Sequence, residues 1–60
     1  MEIYTVADLM NALADALEQQ SLEMVDQIDR ATCDWLEDRR ESAARVRLIE
    51  AIRDAIYEMG

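Results

Sequence analysis

Apolar residues recur at helical spacing in three successive segments of this chain. In the first, Val6, Leu9, Met10, Leu13, Ala16 and Leu17 gather on one face while Asp8, Asn11, Asp15 and Glu18 gather opposite, the pattern of an amphipathic helix. Thr5-Val6-Ala7-Asp8 has the spacing of a capping box with Asp in place of the usual Glu, which makes Thr5 the expected N-cap. Ile3 or Tyr4 then either folds back onto Leu9 as a hydrophobic staple or forms a short extended lead-in. The seam through Met10, Leu13 and Leu17 stops at Gln20-Ser21 and resumes on a different bearing. That shift predicts a tight turn over Gln19-Gln20-Ser21, with Ser21 as the second N-cap and Glu23 in the first turn beyond it, where the helix dipole favours an acid.

The second segment, Leu22 to Glu41, reads as one continuous helix with two opposed faces. Met24, Val25, Ile28, Ala31, Thr32, Trp35 and Leu36 fall on one side, and Glu23, Asp26, Asp34, Glu37 and Glu41 share a sector on the other, interrupted by Arg30. It is expected to end in the charged run Glu37 to Ser42, where either Asp38, with Glu41 three residues on, or Ser42 caps the next helix. In the third segment Leu48, Ile49, Ile52, Ala55, Ile56 and Met59 share a face opposite Arg47, Glu50, Asp54 and Glu58. Gly60, the only glycine, agrees with helix to the end of that segment. Three helices with short connections predict an all-α fold, a compact three-helix bundle forming a single small domain over 1–60. The alternative is a helical hairpin that dimerises into four helices, if either boundary is itself helical; the absence of Pro and of internal Gly leaves that arrangement open.

Composition narrows this further. Sixty residues with 52% apolar content allow one modest core, close to the size at which folding needs a staple or a partner surface. The single Cys33 has no partner in the chain for a disulfide, which with Met1-Glu2-Ile3 (no basic n-region) and no apolar run of membrane-spanning length leads to the expectation of a cytoplasmic protein. Fourteen Asp and Glu against six Arg give a net charge of -8, which disfavours nucleic acid and anionic membrane and favours basic protein partners.

The residue types that carry most enzyme chemistry are missing. There is no His and no Lys and one Cys, which removes the commonest general base, the Schiff-base nucleophile and most zinc sites. Asp26 to Glu37 has the length of a calcium-binding loop, but Ile28, Arg30 and Ala31 stand where that loop needs two oxygen ligands and a glycine. The expectation is a protein that is not an enzyme and uses no metal or cofactor.

The candidate binding residues are therefore the acids of the central segment: Glu23, Asp26, Asp34, Glu37 and Glu41. One reading makes them the solvated face that any amphipathic helix has. The other makes them a charge mimic. On one helix they span about 27 Å, one carboxylate per ~5 to 7 Å, against one phosphate per ~3.4 Å along a DNA strand. The row is sparser than DNA and would need help from Asp8, Asp15 and Glu18 or from a second subunit. Arg39, Arg40, Arg45 and Arg47 form a local basic cluster, expected to pair with Glu37, Asp38, Glu41 and Glu50. Arg45 stands apart, because it sits within the apolar face and must snorkel or find an acid across an interface. Trp35 reads as a core anchor or, if exposed, an interface residue. Met10, Met24 and Met59 read as core filler, and Tyr57 with Val46 and Arg53 as a second contact surface.

The opening Tyr4-Thr5-Val6-Ala7-Asp8-Leu9-Met10, followed by an alanine- and acid-rich helix, resembles the beginnings of some small phage-encoded anti-CRISPR proteins, over about the first quarter of the chain. The resemblance implies a non-enzymatic inhibitor that binds a CRISPR effector complex in the host cytoplasm and blocks DNA recognition or nuclease recruitment. Joined to the charge pattern, it leads to the expectation of an inhibitor whose acidic face engages a basic nucleic-acid-binding surface. The alternative is a small dimerising or regulatory module, antitoxin-like or structural, that acts through its apolar faces.

Overall fold

The computed structural model describes residues 2–59, the side chain of Leu36 excepted. The helical ending read from Gly60 lies outside the described residues. Helix α1 covers Val6–Gln19, α2 covers Leu22–Ala31, a 3-10 segment covers Cys33–Glu37, and α3 covers Arg39–Met59. Among the described residues there is no strand, and the fold is an all-α three-helix bundle.

Each helix begins where a side chain satisfies the open backbone N–H groups of its first turn. At α1 the Asp8 amide donates to Thr5 Oγ1 at 3.1 Å, and Asp8 Oδ2 accepts from the amides of Thr5 at 3.2 Å and Tyr4 at 3.3 Å. The shorter Asp therefore closes the capping box that Glu usually closes. At α2 the Met24 amide donates to Ser21 Oγ at 3.2 Å. At α3 the choice between Asp38 and Ser42 falls to Asp38, whose Oδ1 accepts from Arg40 N at 2.9 Å and Glu41 N at 3.2 Å.

The α1–α2 turn closes with Gln20 in the left-handed region (φ 52, ψ 41). Gln20 N donates to Leu17 O at 3.1 Å and Ser21 N to Ala16 O at 3.0 Å, the paired bonds of a Schellman motif, here without the usual glycine.

The central segment is not one helix. It stops after ten residues at the buried Thr32, which takes a φ of -112 and ψ of 8, outside the helical run, and whose hydroxyl donates to Ile28 O at 2.8 Å beside its own amide at 3.1 Å. The chain then tightens, with Trp35 N bonding Thr32 O at 3.1 Å and Asp38 N bonding Trp35 O at 3.2 Å. Asp38, extended at φ -99 and ψ 111, redirects it into α3. Both boundaries on which the hairpin alternative depended are thus real breaks.

Ile3, Leu9, Leu13, Ala16, Val25, Ile28, Ile49 and Ile56 form the core, with Leu17, Leu22, Met24, Trp35, Leu48 and Ile52 packed at its edges. Of the two lead-in residues, Ile3 is buried and Tyr4 is exposed. Two expected core methionines are also exposed, Met10 at 54% and Met59 at 55%. Met59 lies in the last turn of α3, one turn beyond the buried Ile56. Met10 lies on the border of the buried face, beside the exposed Ala14. Among the described residues, no helix is long and apolar enough to cross a membrane.

Candidate acidic binding surface

The break after Ala31 divides the expected acidic row among three elements. Glu23 and Asp26 lie on the outer side of α2, Asp34 and Glu37 on the 3-10 segment, and Glu41 in the first turn of α3. The evenly spaced row of about 27 Å required a single helix, so that geometry is corrected. Two short pairs replace it: Glu23 and Asp26 three residues apart on α2, and Asp34 and Glu37 three apart on a turn whose three-residue repeat puts both on one side.

The five acids also differ in what they already do. Asp26 accepts from Arg53 Nη2 of α3 at 3.1 Å. Glu41 is half-buried and sits where the positive end of the α3 dipole stabilises a carboxylate. Of the five, Glu23, Asp34 and Glu37 are exposed with no cation of this chain paired to them among the described residues.

The local pairing expected of Arg39, Arg40, Arg45 and Arg47 with Glu37, Asp38, Glu41 and Glu50 does not form among the described residues. Among the described residues, the ion pairs are Arg45–Asp29 and Arg53–Asp26, and both tie α3 to α2. Because the higher-numbered acid meets the lower-numbered arginine, the two helices run antiparallel. Arg39, Arg40 and Arg47 are exposed and unpaired among the described residues. Arg45 resolves the oddity of a charge on an apolar face. It is 9% exposed, its Nη1 donates to a carboxylate oxygen of Asp29 and approaches Asp29 O at 3.4 Å, and its buried Nε has no acceptor. Asp29 was not among the candidates, since it lies on the flank of α2 between the apolar and acidic faces. The available signal was Arg45 itself, which required an acid opposite.

Beside this pair, Asp29, Arg45, Val46, Ile49, Glu50 and Arg53 line an open cleft of ≈ 180 Å³, small for a ligand pocket. Trp35 is half-buried against the core, so it acts first as a packing residue. Cys33 is exposed and free. Among the described residues, no group of three or more His, Cys, Asp or Glu side chains is arranged to hold a metal ion.

No family model, curated protein or solved structure matches this chain.

Proposed function

We propose that this protein is a non-enzymatic inhibitor that acts by binding, with Glu23, Asp34 and Glu37 engaging a basic nucleic-acid-binding surface of a partner. The observation that carries this reading is the disposition of charge. Arg45 and Arg53 are drawn into the α2–α3 seam, while Glu23, Asp34 and Glu37 stand exposed without cations of their own. With a net charge of -8 on so small a body, attraction to a cationic surface is long-ranged at low salt and screened beyond about 10 Å at 0.1 M. It gives fast, salt-sensitive association.

The division of the acids over three elements favours a local patch over an imitation of the DNA backbone along a helix. The resemblance of Tyr4 to Met10 to anti-CRISPR proteins makes a CRISPR effector complex in the host cytoplasm the first partner to try. The direct test is to add the purified protein to guide-loaded effector complexes of the principal types and follow binding of labelled target DNA. Loss of DNA binding by one of them supports the reading. Unimpaired DNA binding by all of them, with no complex formed, rejects the CRISPR assignment.

A further inference from the structure

Val46, Glu50, Arg53 and Tyr57 lie within a sector about 60° wide on α3, at the ~100° per residue of a helix. They form a line of about 16 Å, of which Val46, Glu50 and Arg53 border the α2–α3 cleft. Val46 is 42% and Tyr57 65% exposed, and Glu50 is exposed with no ion-pair partner among the described residues. The order along this line is apolar, acid, base, apolar; its spacing is symmetric about the point midway between Glu50 and Arg53, and the charge inverts across that point.

We propose that this line is a self-association seam, on which α3 pairs antiparallel with α3 of a second copy about a two-fold axis at that midpoint. The axis sets Glu50 opposite Arg53 of the other copy, and Arg53 opposite its Glu50. The same operation sets Val46 opposite Tyr57 at both ends. This is the self-complementary arrangement that an isologous contact requires. A parallel pairing would instead stack like charges. Arg53 spends one amino group on Asp26, and a guanidinium has five N–H donors, so both acids can be served together. Each copy carries a charge of -8, which opposes association, and the two Glu50–Arg53 pairs across the axis offset part of that repulsion along this line. A seam of one helix pair belongs with the weak, reversible interfaces, and the dimer forms and dissociates in the micromolar range.

The experiment is sedimentation equilibrium on the full chain over the micromolar range. Glu50→Arg and Arg53→Glu should each be monomeric, because each sets like charges across the axis, and an equimolar mixture of the two should recover a heterodimer of wild-type affinity. Tyr57→Asp, a change at an exposed position that spares the core, should also be monomeric. If Arg53→Glu loses helicity through the second acid it places beside Asp26, Glu50→Arg and Tyr57→Asp decide alone. A wild-type chain monomeric throughout the range overturns the proposal. So does a dimer that persists in Tyr57→Asp, or one that forms in Glu50→Arg without its complement. Monomeric wild type whose Tyr57→Asp variant loses a heterologous partner would assign the seam to that partner and reject self-association.

Discussion

Arg45 of α3 donates through Nη1 to the Asp29 carboxylate of α2, and does so from a position only 9% exposed while the Asp29 side chain remains 47% exposed. The pair is therefore unequal: the guanidinium depends on the carboxylate far more than the reverse. Removing the acid strands a buried cation; replacing the arginine with an apolar side chain of similar length removes a buried charge together with an Nε that has no acceptor. Asp29→Ala should cost about 2 kcal/mol, and Arg45→Met should stay within ~1 kcal/mol of the wild type or exceed it. Urea unfolding followed by circular dichroism gives both values. A larger loss for Arg45→Met than for Asp29→Ala would mean that the arginine contributes more to the seam than the carboxylate does.

Gln20 holds the α1–α2 turn at φ 52, where a side chain with a Cβ is disfavoured and glycine is not. Gln20→Gly should raise stability by roughly 0.5 to 1 kcal/mol, visible as a higher urea midpoint at unchanged slope. A decrease would mean that the glutamine side chain contributes to the turn.

Thr32 ends α2 from a fully buried position, its hydroxyl donating to Ile28 O at 2.8 Å. Thr32→Val keeps the shape and deletes that donor, at a cost of about 1 kcal/mol. Thr32→Ala adds a cavity and should cost more. If the hydroxyl is what stops the helix, the Val variant should also gain helical signal at 222 nm, as α2 extends toward Trp35. Unchanged helicity would place the stop in the packing of Trp35 instead.

The capping box at α1 is met by Asp8, which accepts from two amides while its own amide donates to Thr5 Oγ1. Thr5→Ala should destabilise the protein by about 1 kcal/mol. Asp8→Ala should cost at least as much, since it frees two donors and also removes a negative charge from the positive end of the helix. Thermal melts of the two variants rank them.

The starts of α1 and α2 are legible in the sequence, because Thr5 and Ser21 each carry a short polar side chain just before an apolar repeat and capping is a local interaction. At α3 the charged run leaves Asp38 and Ser42 both open, and the structure selects Asp38. The break at Thr32 is not legible. No glycine or proline marks it, Thr32 continues the apolar seam of α2, and its hydroxyl bonds the same Ile28 carbonyl that a continuing helix would use. The acidic row fell with that break, since its regularity was borrowed from a helix that ends at Ala31. Arg45 announced itself as a charge among apolar neighbours, yet its partner stayed hidden: the choice of Asp29 depends on how α3 crosses α2, which periodicity does not encode.

In the proposed inhibitor, Glu23, Asp34 and Glu37 supply the contact charges, whereas Asp26 pairs with Arg53 and Glu41 lies in the first turn of α3. The measurement that tests this assignment most directly compares the triple variant Glu23→Arg, Asp34→Arg, Glu37→Arg with the wild type in displacing labelled DNA from a CRISPR effector complex at low and high salt. The variant should keep its helical signal and lose displacement at least tenfold, the equivalent of ~1.4 kcal/mol, and the wild type should weaken as salt is raised. A folded variant that displaces DNA as well as the wild type, with no dependence on salt, would contradict the assignment.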